Sequence, residues 1–97
     1  MDKNAFREFD AAEFLDNEET IAAYVSEAMQ DPNPDVLLSA LNDVARARGM
    51  SRIAEDSGLG RESLYKMLRP GAKPRWETIA RILLAMDIRL QAVPAAS

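Results

Sequence analysis

The sequence predicts an all-α fold of about five helices, with a helical extension at the N-terminus and a short strand at the C-terminus. Apolar residues recur at the 3.6-residue spacing of a helix in several segments. Residues that favour helix ends, such as Asn33 and Gly58, stand beside these segments. The 97 residues favour a single compact unit, in which residues 1–34 form the extension and residues 35–93 the main domain.

Two capping residues indicate where the elements of the extension begin. Asp10 is suited to cap a single turn over AAEFL, and Asp16 to cap a helix over about residues 17–30. Glu18 and Glu19 would lie in the first turn of that helix, where negative charge is favoured. Its apolar stripe is formed by Ile21, Tyr24, Val25, Ala28 and Met29.

Two further helices frame the main domain. Asn33 is suited to an N-cap and Pro34 to the first helical position, so we expect a helix over about residues 35–48 that ends at Gly49. The last helix is expected over about residues 75–86. Its apolar residues are expected to face the interior: Trp76, Ile79, Ala80, Ile82 and Leu83.

Between these helices, residues 50–68 are typical of two short helices joined by a tight turn. Ser51 is a suitable N-cap for the first, and Gly58 is suited to end it at positive φ. Gly60 stands where the second helix, over about residues 61–68, begins. Three apolar residues of the second helix share one face and would hold it against the domain: Leu64, Met67 and Leu68.

The opposite face of this second helix is polar. A helical pair of this kind can place its second helix in the major groove of DNA, where arginine suits guanine and glutamate suits cytosine. The residues predicted to contact bases are Arg61, Glu62, Ser63, Tyr65 and Lys66. The alternative is a plain helical hairpin, in which Glu62 and Lys66 form only a helix-stabilising pair.

The charge of the chain is divided between its two parts. The net charge is −4, but residues 1–45 carry two basic and eleven acidic residues, whereas residues 46–97 carry ten basic and five acidic ones. Screening acts over about 8 Å at physiological salt, so a local basic face can attract phosphate. The predicted phosphate contacts flank the helical pair: Arg46, Arg48, Ser51, Arg52, Arg69, Lys73 and Arg75. The alternative is ordinary surface charge.

The composition removes several classes of function. The chain has no cysteine and no histidine, which excludes disulfides, the usual zinc sites and any catalytic triad with a histidine base. No residue pattern indicates an enzyme, a metal site or a cofactor. No run of 18 apolar residues and no secretory leader is visible, so we expect a cytoplasmic protein without membrane contact.

Residues 88–92 alternate between apolar and polar side chains, which indicates a short strand. A single strand needs a partner. Two partners are open: the segment Phe6–Phe9 and a second chain.

The chain resembles the addiction-module antidote proteins, small helix-turn-helix proteins related to phage-repressor-like (XRE/Cro) domains. The resemblance covers about residues 9–91. It rests on ARARGM at 45–50, IAEDSGL at 53–59, RESLYKML at 61–68, the proline and apolar helix at 74–86, and FDAAEFLDNEETIAAYVSEAM at 9–29. One departure is Gly60, where related sequences often have serine.

This resemblance implies an antitoxin that neutralises a RelE/ParE-like toxin, binds palindromic operator DNA as a homodimer and represses its own operon. It maps the recognition helix onto the five base-contacting candidates named above. The acidic N-terminal half would suit a basic toxin, or it merely completes the core. Two other functions remain open: a stand-alone helix-turn-helix regulator, and a protein-interaction module that does not bind DNA.

Overall fold

The structure, a computed structural model, describes residues 10–96 and is all-helical over that range. Its elements are, in chain order, the 3-10 turn Ala11–Phe14 and the helices α1 Glu18–Met29, α2 Pro34–Arg48, α3 Met50–Ser57, α4 Arg61–Met67 and α5 Trp76–Ala85. The prediction of an all-α fold with about five helices is therefore confirmed.

Short-range capping explains where the first elements begin. The Asp10 carboxylate accepts a hydrogen bond from the Ala12 N–H at 3.1 Å, and Asn33 caps α2 with Pro34 in its first turn, both as predicted. The predicted cap of α1 is wrong by one residue. Asn17, not Asp16, accepts from the first turn, through its Oδ1 and the Thr20 N–H at 2.8 Å.

The helices bury their apolar stripes in one continuous core. Helix α1 packs on α2, α2 packs on the 3-10 turn and on α3, and α3 packs on both α4 and α5. Ile21 and Val25 of α1 belong to the same cluster of buried side chains as Leu64 of α4 and Ile82 of α5. The residues of the N-terminal extension thus share their core with the rest of the chain.

A hydrogen-bonded network joins the 3-10 turn, α1 and α2 at the edge of this core. The Tyr24 hydroxyl donates to Asp43 Oδ2 at 2.6 Å. Arg46 donates to both carboxylate oxygens of Asp10, at 3.0 and 2.8 Å, and to Asp43 Oδ1 at 3.0 Å. Charge-assisted bonds of this kind are shorter and stronger than neutral ones, so they fix the 3-10 turn against α2.

Two expectations at the C-terminal end are corrected. Trp76, expected to face the interior, is 62% exposed, because it is the first residue of α5 and lies beyond the edge of the core that Ile79 and Leu83 enter. Within the described residues of a single chain, residues 88–92 form no strand, because the regular elements between residues 10 and 96 are all helical and supply no backbone for pairing; pairing with a second chain stays a prediction. The other suggested partner, Phe6–Phe9, lies outside the described residues.

Candidate nucleic-acid interface

The turn between α3 and α4 has a well-defined hydrogen-bonding pattern. Gly58 is left-handed, with φ 76° and ψ 12°, as predicted for the residue that ends α3. The Gly58 N–H donates to the Glu55 carbonyl at 3.1 Å, and the Leu59 N–H donates to the Ala54 carbonyl at 3.2 Å. These two bonds are those of a Schellman motif, which satisfies the last carbonyl groups of a helix. Gly60 then begins α4 at φ 83° without a side-chain cap.

The beginning of α3 differs from the prediction. Ser51 is not its N-cap, because the helix starts one residue earlier, at Met50, and Gly49 occupies the capping position without a side-chain bond. Met50 is buried, and this anchors the first turn against the core. Ser51 and Arg52 are therefore exposed residues of that first turn, where backbone N–H groups lack helical partners.

Helix α4 is held to the domain by its leucines. Leu64 has no exposed surface, and Leu68, which caps the helix, is 2% exposed. Met67 is only half-buried, at the margin of the same face. The helix ends one residue earlier than predicted, at Met67. The predicted orientation of the helix agrees with this burial, because Leu64 and Leu68 both lie in the core.

The outward face of α4 carries the five residues predicted to contact bases. Each of them is exposed, and they lie within the first two turns: Arg61, Glu62, Ser63, Tyr65 and Lys66. The Arg61 guanidinium lies 5.6 Å from the centroid of the Tyr65 ring, and its Nη2 is 3.4 Å from the Tyr65 hydroxyl. This contact orients both side chains along the exposed face, and Arg61 forms no ion pair with another residue between 10 and 96.

Basic residues follow α4 in the loop that leads to α5. Arg69, Lys73 and Arg75 are exposed, and none of them forms an ion pair with another residue between 10 and 96. The loop is tied to α2 by the Gly71 N–H, which donates to Asp35 Oδ1 at 2.9 Å. Three cationic side chains without an ion-pair partner in the described chain therefore lie on an anchored loop directly after the recognition-helix candidate.

The three arginines before α4 differ from these. Arg46 belongs to the network with Asp10 and Asp43. Hydrogen bonds to these two carboxylates raise the pKa of its guanidinium, and the hydrogen bond from Arg46, followed by that from the Ala12 N–H, holds the pKa of Asp10 below its usual value. Arg48 is half-buried, and its Nε has no hydrogen-bond partner within the described range. Arg52 Nε lies 3.8 Å from Asp56 Oδ2, one turn along α3. Of the predicted phosphate contacts, these three have the least freely available charge.

One residue that acts on the turn was missed by the sequence analysis. Arg81 of α5 donates from its Nε to the Ser57 carbonyl at 3.1 Å, so it supports the end of α3 where the turn begins. The two residues are 24 positions apart, and an exposed arginine in a helix has no local pattern that reveals such a contact. Arg81 is thus a positioning residue for the turn rather than part of the exposed face.

Comparison with known proteins places the chain in a family. A family model described as "Probable addiction module antidote protein" matches residues 5–94. The chain belongs to this antidote family. An uncharacterized protein of Haemophilus influenzae is 44% identical over 85 residues, which cover 88% of each chain. No solved structure matches. The resemblance identified from the sequence is therefore confirmed for the family.

This member of the antidote family also carries a uniformly acidic surface on its N-terminal side. Between residues 10 and 45 there is no lysine and no arginine. Six acidic residues of the segment are exposed and take part in no ion pair within the described chain: Glu13, Asp16, Glu18, Glu19, Glu27 and Asp31. The described part of the chain contains no cluster suited to a metal ion, and none of its helices is long and apolar enough to span a bilayer.

Proposed function

We propose that this antidote is a sequence-specific DNA-binding antitoxin of a toxin–antitoxin module. In this proposal it represses its own operon and neutralises a RelE/ParE-like toxin in the cytoplasm. Residues 35–93 form the helix-turn-helix DNA-binding domain, and residues 1–34 are an acidic extension. The protein acts without a catalytic step of its own.

The observation that carries the proposal is the way α4 is presented. Its two leucines are buried, and all of its polar side chains project into solvent, where a major groove could receive them. Three free basic residues follow on the adjoining loop, which is where phosphate contacts would fix the helix in the groove. A solvated hairpin without a ligand would not require this combination.

The exposed residues divide into two roles. Arg61, Glu62, Ser63, Tyr65 and Lys66 contact base edges, and Arg69, Lys73 and Arg75 contact phosphates, joined by Ser51 and Arg52 at the free N-terminal turn of α3. A homodimer would place two α4 helices in successive major grooves, about 34 Å apart, on a palindromic operator. Binding there would block the promoter.

The acidic surface supports the second half of the proposal. Toxins that act on RNA need a basic active surface, and a partner of opposite charge would be attracted to residues 10–45, which have no basic side chain. The same charge keeps this side of the antidote away from DNA. Toxin and operator would therefore bind on different sides of one molecule.

Fluorescence anisotropy tests the DNA contacts with two matched variants that each lose one positive charge. Lys66→Ala should weaken binding to the protein's own promoter by about 1–3 kcal/mol and leave binding to shuffled DNA nearly unchanged. Arg69→Ala should weaken binding to both DNAs about equally and flatten the dependence on salt. If wild-type protein does not distinguish its promoter from shuffled DNA, the proposal of sequence-specific binding is wrong.

Co-expression with the product of the neighbouring reading frame, which the proposal expects to be a small basic protein, tests the toxin contact. We expect the two chains to co-purify and the toxicity of the neighbour to disappear. DNA binding without any such partner would instead identify a stand-alone regulator.

A further inference from the structure

The chain leaves α5 through a tight turn and then runs without backbone pairing. Asp87 adopts φ 61°, and the Ile88 N–H donates to the Leu83 carbonyl at 2.9 Å. After that bond, residues 89–96 make no backbone hydrogen bond to any described part of the chain. Such a segment offers free N–H and C=O groups to another strand.

This segment lies beside α1. Residues 88–93 and the α1 residues Val25 and Met29 line an open groove of about 690 Å³. Leu90 is 39% exposed and Val93 is 71% exposed, so two apolar side chains of the segment are uncovered. The free backbone and the uncovered apolar side chains occur in the same six residues.

We infer that residues 88–92 pair in antiparallel register with the same residues of a second copy of this chain. The two segments form a two-stranded ribbon whose two-fold axis passes through Leu90. This inference rests on the proposed function, because it names the interface of the dimer that would bind the operator.

The alternation of side chains favours a second copy and specifies the register. Centred on Leu90, the pairing places Ile88 opposite Ala92 and Leu90 opposite itself, so one face of the ribbon is entirely apolar. Arg89 faces Gln91 on the other side, and no like charges are directly opposed. A slip of one residue would mix the two faces.

The residues around positions 88–92 explain where the proposed ribbon ends and what would stabilise it. Pro94 has no N–H group and ends the ladder two residues after Ala92. A two-stranded ribbon is only marginally stable by itself in water. Here the apolar face can rest on Met29 of α1, which is 39% exposed, from each copy, which would exclude water from it. Because each copy brings the same free segment, the contact closes as a two-fold dimer.

Disulfide cross-linking of the full chain tests the register. The protein has no cysteine, so a single introduced thiol can cross-link only between copies. At a directly opposed pair the Cβ atoms are about 4.5–5.5 Å apart, close to the span of a disulfide. Leu90→Cys should therefore convert to a covalent dimer under mild oxidation. Val93→Cys is the control, since its two copies would lie about 20 Å apart along the ribbon and should stay uncross-linked.

Sedimentation of the unmodified chain completes the test. Wild-type protein should sediment at twice its 10.8 kDa mass. Leu90→Glu, which would oppose two carboxylates on the axis, should sediment as a folded monomer with an unchanged helical circular dichroism signal. Failure of Leu90→Cys to cross-link, equal cross-linking of Val93→Cys, or a monomeric wild type would overturn the inference.

The outcome for the interface is separable from that for DNA binding. A wild type that binds its promoter while Leu90→Cys stays monomeric would overturn the interface and leave the proposed function standing. Cross-linking of Leu90→Cys in a protein that ignores its promoter would support the interface and remove the function. If Leu90→Glu abolishes toxin binding and wild type is monomeric, the segment pairs with the toxin and not with a second copy.

Discussion

Replacement of Gly58 by alanine would test what holds the turn in front of α4. Gly58 is left-handed, at φ 76°, and a residue with a Cβ atom pays about 1–2 kcal/mol in this conformation. A Cβ atom at this position would lie 2.8 Å from Arg81 Nη2, so the guanidinium would have to move. That movement would break or weaken the hydrogen bond from Arg81 Nε to the Ser57 carbonyl, which contributes about 0.5–1.5 kcal/mol to the free energy of unfolding. Together, the substitution should destabilise the protein by about 1.5–3.5 kcal/mol.

A double-mutant cycle separates the two costs. We would measure the free energy of unfolding in urea for the wild type, Gly58→Ala, Arg81→Ala and the double variant. In the Arg81→Ala background there is no guanidinium to displace, so Gly58→Ala should cost only the backbone term of about 1–2 kcal/mol. The coupling between the two sites should therefore be about 0.5–1.5 kcal/mol. Equal costs of Gly58→Ala in both backgrounds would show that Arg81 does not restrain the turn.

Three further predictions, which use four substitutions, concern other parts of the fold. Leu64→Ala should lower the free energy of unfolding by about 2–5 kcal/mol, because it leaves a cavity under α4; an unchanged urea midpoint would contradict the docking of that helix. Asn17→Ala should lower the free energy of unfolding by about 0.5–2 kcal/mol, whereas Asp16→Ala should change it by no more than about 0.5 kcal/mol. The reverse order would show that Asp16 caps α1, as the sequence predicted. Burial, followed by a carboxylate hydrogen bond, raises the pKa of Tyr24 to about 12, so in Tyr65→Phe the tyrosinate absorbance should rise with a midpoint near that value. Because the pKa of Tyr24 is raised in the folded state, its neutral hydroxyl contributes to the stability of the fold. This contribution is complete below pH 10 and is lost as the pH approaches 12. A titration midpoint near pH 10 would refute the burial of the hydroxyl.

The elements whose chemistry is local could be predicted closely. Asn33 caps α2 and Gly58 ends α3 as expected, because both act on backbone groups within a few residues of themselves. The buried side of α4 also followed from its spacing, since Leu64 and Leu68 fall on one face of any helix. The exposed face is what remains, so the five candidate base contacts could be named from the sequence.

Spacing did not determine how deep a residue lies. Trp76 has the period of the buried residues of α5, but periodicity specifies a direction around the helix axis and not the distance from the core. As the first residue of α5, it extends past the neighbouring helices into solvent. The start of α3 at Met50 was missed for a related reason, because burial of that side chain overrides the capping preference of Ser51.

The sequence by itself determined the helical class, the helix ends that depend on local capping, and the polar face of α4. Only the tertiary structure decided which cations are free. Arg46 is compensated by Asp10, 36 positions earlier, and Arg81 is directed to Ser57, 24 positions earlier, whereas Arg69 has no such partner in the described chain. Charge is read from composition, but its compensation depends on distances of a few ångströms between segments that are remote in the chain, and these distances exist only once the helices have packed.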